Sequence, residues 1–191
     1  MSKVAVILAE GFEEGETLTI VDILRRANIE CHMISTGGDM VRGGHDIVVK
    51  ADAIISDDVK EYDMIVLPGG LPGATNLLDD NRVIKLLQEM NRDGKFVSAM
   101  CAAPIVLGKA GVLENKNFTA YVGYDQKIET TGTFKEDIVV VDGNLVTSRG
   151  PATAYAFAYK LVDVLGRDSL AVKNRMVYFN AFDAEKEENH G

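Results

Sequence analysis

Residues 96–100 form an apolar, strand-like run that stops at Cys101; Ala102, Ala103 and Pro104 follow, and a helical pattern then runs over 105–111. A strand that turns sharply into a helix presents its turn residue at the C-terminal edge of a parallel sheet, where α/β proteins bind ligands. The positive end of the new helix is expected beside the sulfur, favouring thiolate over thiol. This is the layout of a nucleophile elbow with cysteine in the position of serine. A free cysteine in an apolar segment fits a small buried hydrophobe equally well. The local pattern leaves both readings open.

The rest of the chain repeats the alternation. Residues 3–9, 30–36 and 62–67 read as strands, the first nearly all apolar, as in a strand covered on both faces. Helical patterns cover 17–28, with apolar residues at Leu18, Val21, Ile23 and Leu24, and then 83–90, 152–165 and 169–177. Gly43-Gly44-His45-Asp46 is a turn signal before a short strand at 47–49, a hairpin excursion. Residues 118–121 read as a strand, and 138–141 returns through Asp142-Gly143-Asn144 to 145–148 as a second hairpin. The expected fold is a doubly wound α/β sandwich with a mainly parallel sheet and short hairpin excursions. Residues 1–182 read as one domain, and 183–191 as a charged, frayed tail.

Composition narrows the function. The formal net charge of -9 argues against a broad nucleic-acid face, which needs clustered Lys and Arg. No apolar run approaches the roughly 18 residues of a membrane span, and residues 4–9 are too short for a signal peptide. Cys31 and Cys101 do not make a disulfide framework, so a reducing cytoplasm is the expected compartment. In that compartment the Asn117-Phe118-Thr119 sequon is a chance match. Cys31 lies inside an apolar segment and reads as structural.

Three loops are expected at one edge of the sheet. Glu16 follows the first strand and is a candidate partner for Cys101, whereas Glu13 and Glu14 read as solvated acids at a helix N-terminus. Pro68-Gly69-Gly70-Leu71-Pro72-Gly73 follows the central strand. Its glycines permit close backbone approach, which suits a tight turn or a set of N–H donors for an anion. The segment lacks both the P-loop and the dinucleotide pattern. His45 reads as a solvated turn residue, and no two histidines have metal-ligand spacing, so no metal is expected. A carboxyl group, backbone donors and a thiol in one place would make a chemical site.

In chain order, Glu13-Glu14-Gly15-Glu16-Thr17, Asp22 with Arg25-Arg26-Ala27, Val66-Leu67-Pro68-Gly69-Gly70, Ala99-Met100-Cys101-Ala102-Ala103-Pro104 and Leu145-Val146-Thr147-Ser148-Arg149-Gly150-Pro151 resemble the ThiJ/PfpI family of the class I glutamine amidotransferase-like superfamily. The resemblance is to the branch holding the Parkinsonism-associated deglycase and YajL. It implies a flavodoxin-like sandwich and a homodimer. It makes Cys101 the reactive, readily oxidised cysteine and Glu16 the protonated carboxyl group that hydrogen-bonds the sulfur. The N–H groups of Gly70 and Ala102, beside Gly69, become an oxyanion hole, and Arg26 a residue reaching the partner's site. The implied activity is that of a glyoxalase or deglycase acting without a cofactor on small reactive aldehydes or glycated adducts, with a redox-sensing chaperone as the alternative. No membrane or specific nucleic-acid partner is expected.

Two departures matter. Protease-like members carry histidine directly after the cysteine, and here that residue is Ala102, which argues against a Cys-His protease. The human-type branch has a histidine in the strand after the elbow helix. Tyr121 stands there, as an aromatic does in YajL-like members.

Overall fold

The structure, a computed structural model, describes residues 2–179 and 181. The expected tail at 183–191 lies outside the described residues. The chain runs β1 (Lys3–Leu8), α1 (Glu14–Arg26), β2 (Glu30–Ser35), β3 (Met40–Arg42), β4 (Val48–Lys50), β5 (Ala53–Ile54), β6 (Met64–Leu67), α2 (Gly73–Asp79), α3 (Asn81–Arg92) and β7 (Phe96–Met100). It continues through α4 (Pro104–Lys109), β8 (Asn117–Phe118), β9 (Thr133–Phe134), β10 (Val139–Asp142), β11 (Leu145–Ser148), α5 (Ala154–Val164) and α6 (Ser169–Arg175).

Seven strands form the central sheet in the order β10-β11-β7-β6-β1-β2-β5. All neighbours are parallel except the edge pair β10–β11, the later of the two expected hairpins. The inner strands have apolar side chains on both faces because helices cover both. α1 and α5 pack together on one face; α2, α3 and α4 pack together on the other, with α3 against β6 and β7. On α1, Ile20, Val21, Ile23 and Leu24 turn inward and are buried. The early hairpin is β3–β4, outside the main sheet.

The chain winds from β1 outward through β2 to β5, then returns to β6 on the other side of β1. Loops leaving β1 and β6 therefore head for opposite faces and open a crevice at the strands' C-terminal edge. β7 lies next to β6 in parallel register, Leu67 against Ala99, so Cys101 emerges beside that crevice.

Several element ends shift by one to three residues from the sequence reading, and two of the differences bear on the site. α1 begins at Glu14 rather than near Thr17, because Gly15 does not break the first turn and the Thr17 N–H already bonds the Glu13 carbonyl at 3.0 Å. The strand expected over 118–121 ends at Phe118. The Thr119 N–H is taken by the Thr147 hydroxyl at 2.9 Å instead of a strand partner, and the chain then turns toward Cys101. No helix among the described residues is long and apolar enough to cross a membrane.

Candidate active site

Cys101 is held at φ +60°, a left-handed backbone that a residue bearing a Cβ adopts at a cost of order 1–3 kcal/mol. Its surroundings hold it there. The Cys101 N–H donates to the Ser148 carbonyl of β11 at 3.1 Å, and the Cys101 carbonyl accepts from the Tyr121 N–H at 2.8 Å. The residue is left 9% exposed at the floor of a cavity of about 320 Å³.

Glu16, in the first turn of α1, is fully buried and faces the Cys101 thiol. Its Oε2 accepts the Gly69 N–H at 2.7 Å, while Oε1 has no hydrogen-bond partner among the described residues, which suits it to carry a proton. Burial raises the Glu16 pKa to about 7, against the opposing effects of the Gly69 N–H and the thiol. The nearby backbone N–H groups of Ala102 and Gly70 favour the thiolate at Cys101. Gly70 reaches that position with φ +92°, where a Cβ would meet the Gly11 carbonyl at 2.6 Å.

The expected stabilisation of a thiolate by the helix end is corrected. α4 begins three residues beyond Cys101, at Pro104, and is only six residues long. Burial first, and then the facing Glu16 carboxylate, hold the thiol above its ordinary range, against the two N–H donors. Two negative charges in this buried space are disfavoured, so the pair keeps one proton. A thiolate therefore forms only with Glu16 protonated. Cys31 is pushed up to about 12 by burial and has no such donors.

Of the residues singled out in the sequence, Glu16, Gly69, Gly70, Cys101, Ala102 and Tyr121 come together. Gly69 does so in another role than that of an anion donor. Its N–H is spent on Glu16, and a Cβ at Gly69 would lie 2.6 Å from the Cys101 Cβ and 2.9 Å from Glu16 Oε2. It is the gap through which acid and thiol meet. Arg26 lies at the other end of α1 from Glu16, about 15 Å along the helix axis, and pairs with Asp22 at 2.8 Å. Within one chain it takes no part in the site.

Glu13 and Glu14 depart from their expected solvation, whereas His45 is an exposed turn residue as expected. Glu13 lines the cavity. Glu14 is buried, and its carboxylate accepts from the His45 N–H at 2.7 Å and the Ile47 N–H at 3.3 Å while contacting the His45 ring Nδ1 at 3.0 Å. Burial alone would raise the Glu14 pKa, but the His45 ring and these N–H groups together bring it below the usual carboxylate value. The same contact raises the His45 pKa. Glu13, Glu14 and His45 are close enough together to hold a cation, a grouping that a search for paired histidines misses. Here Glu14 serves instead to clip the β3–β4 turn onto the start of α1. Tyr124 was also missed: it is buried with its ring edge-on to Tyr121, 6.0 Å between centroids, and forms part of the cavity wall.

The DJ-1/PfpI family model matches residues 2–164. The chain is 38% identical over 187 residues to Protein dj-1beta of Drosophila melanogaster, covering 94% of this chain and 100% of that one. It is 32% identical over 165 residues to Deglycase TK1284 of Thermococcus kodakarensis, covering 85% and 99%. The structure of oxidized Toxoplasma gondii DJ-1 superposes with a TM-score of 0.88 at 34% identity, covering 94% and 100%.

Proposed function

Because this chain belongs to the DJ-1/PfpI family, we propose that it is a cofactor-free glyoxalase or deglycase that acts through Cys101 on 2-oxoaldehydes or their early glycation adducts. One observation carries the reading. A buried carboxyl group and two backbone N–H groups converge on a single sulfur at the floor of an open cavity.

The reactive state is thiolate with protonated Glu16. Cys101 attacks the aldehyde carbon, forming a C–S bond, while the carbonyl π electrons move to oxygen. The Gly70 and Ala102 N–H groups stabilise that oxyanion, a contribution of about 2.7–4 kcal/mol per donor in comparable sites. Glu16 gives its proton to the oxyanion, yielding a hemithioacetal. As carboxylate it then removes the hydrogen on that carbon as a proton, giving an enediolate, and returns it to the neighbouring carbon, while the hydroxyl proton of the first carbon passes to the oxygen of the second. The first carbon is thereby oxidised to a thioester and the second reduced to an alcohol. Water hydrolyses the thioester to a 2-hydroxy acid and restores the thiol. The balance needs no outside oxidant or reductant.

The homodimer is part of the same proposal, with Arg26 as the side chain offered to the partner's site, and so is a cytoplasmic location. The test is conversion of methylglyoxal to lactate in an amine-free buffer. Saturable turnover by the wild type and none by Cys101→Ser supports the reading; equal aldehyde loss in both assigns it to adducts on surface Lys and Arg.

A second reading rests on the same donors. A sulfinate on Cys101 would place its oxygens among Gly70 N–H, Ala102 N–H and protonated Glu16, as a redox-sensing chaperone requires. Two equivalents of a peroxide would each transfer one oxygen to sulfur and leave as water. A gain of two oxygens on Cys101 under mild peroxide, together with no aldehyde turnover, favours this alternative.

A further inference from the structure

The cavity over Cys101 is larger and more apolar than a three-carbon aldehyde needs. Its volume of about 320 Å³ is near the lower end of pockets that enclose drug-sized ligands. The donors sit together at the floor, where Cys101, Gly70 and Ala102 meet. Above them the wall is Leu71, Tyr121, Tyr124 and Pro151, with Glu13 as its acidic member.

That wall is tied to the reacting atom. The Tyr121 N–H holds the Cys101 carbonyl at 2.8 Å, and the Tyr124 N–H holds the Tyr121 carbonyl at 3.0 Å. The Tyr121 and Tyr124 rings meet edge to face at 86°, and the Lys127 ammonium lies over the Tyr124 ring, 4.0 Å from its centroid. Leu71 leaves 56% of its surface exposed although it directly follows the donor Gly70. A methyl substituent on a carbonyl bound at the floor is too short to span this wall; a branched alkyl or aryl group is long enough to reach more of it.

We infer that the preferred substrates are neutral 2-oxoaldehydes bearing a bulky apolar substituent, seated against Leu71, Tyr121 and Tyr124. This rests on the glyoxalase reading of the site. The probe is 4-methyl-2-oxopentanal, in which isobutyl replaces the methyl of methylglyoxal with the same carbonyl electronics. Burial of the added carbons is expected to raise kcat/KM at least about tenfold over methylglyoxal, since one methylene in an apolar pocket is worth roughly 10–200-fold. In Leu71→Ser that ratio falls severalfold.

A binding measurement separates the two ideas. The amides of the two products, lactamide and 2-hydroxy-4-methylpentanamide, are compared as protectants of Cys101 against iodoacetamide. Protection by the larger amide at a tenfold lower concentration supports the apolar seat, even where neither aldehyde turns over and the glyoxalase reading falls. Equal kcat/KM for the two aldehydes with Cys101-dependent turnover overturns the seat and leaves that reading standing. Equal protection, or protection by neither amide, also overturns the seat.

Discussion

The Gly69 N–H donates to Glu16 Oε2 at 2.7 Å, and the side Gly69 leaves open is where the Cys101 sulfur meets the same carboxyl group. One residue thus orients the acid and makes room for the nucleophile. Gly69→Ala would put a Cβ 2.6 Å from that of Cys101. Overpacking of this kind costs about 1–3 kcal/mol. Denaturant unfolding should show that loss, and methylglyoxal turnover should fall more steeply than stability does, because the Glu16–Cys101 contact is forced apart.

Glu16 has its folded pKa raised to about 7 by burial, whereas a solvated glutamate titrates near 4.5. Between those values the folded state holds a proton that the unfolded chain has released. Stability from this group is complete below about pH 4.5 and is lost as pH rises through 7. In Glu16→Gln the decline over that window should flatten, the difference between variant and wild type changing by on the order of 2–3 kcal/mol. Urea unfolding at pH 4.5, 6 and 8 measures it; parallel curves would show that Glu16 is ionised throughout.

Loss of that proton carrier should also reach the chemistry. Glu16→Gln retains an acceptor for the Gly69 N–H but cannot shuttle a proton, and general acid–base terms are worth about 10²–10⁴ in rate. The expected result is a kcat lowered by at least about a hundredfold, with Cys101 still alkylated by iodoacetamide. Turnover within a factor of two of wild type would remove Glu16 from the mechanism.

Glu14→Ala tests the clip on the β3–β4 turn. It strands the buried-side N–H donors of His45 and Ile47 and removes the partner of the His45 ring. A loss of about 1–3 kcal/mol is expected, together with faster hydrogen exchange at Ile47. The Glu14 contribution is present above its ordinary pKa and fades as pH falls through its lowered one. The His45 contribution is complete below pH 6.5 and fades as pH rises through its raised value. The clip is therefore strongest between the two, and an Ile47 protection factor that stays flat from pH 4 to pH 8, after correction for intrinsic exchange, would contradict it.

Much of this site is legible in the chain because its parts announce themselves locally. The run into Cys101 followed by Ala102-Ala103-Pro104 gives the strand, the turn and the helix, and Gly69-Gly70 after an apolar strand marks a close backbone approach. The alternation of strand and helix patterns then places both, with Glu16, at one edge. Three features are not local and were misread. Glu14 looks like an acid at a helix start, and only the fold of the 40–50 hairpin shows that it is buried under His45. Thr119 and Ala120 carry strand-like side chains, but the Thr147 hydroxyl takes the bond that would have extended β8. The raised pKa of Cys101 follows from burial beside Glu16, which outweighs the two N–H donors that favour the thiolate.

Stoichiometric alkylation tests the central claim most directly. Cys31 lies within β2, 3% exposed, whereas Cys101 lines the open cavity beside the Gly70 and Ala102 N–H groups, so access should direct iodoacetamide at neutral pH to Cys101 alone. Peptide mass mapping and lactate formation from methylglyoxal are followed on the same samples. The account predicts that turnover falls linearly with labelling of Cys101 and reaches zero at one label per chain. Turnover that persists after Cys101 is fully labelled would contradict it.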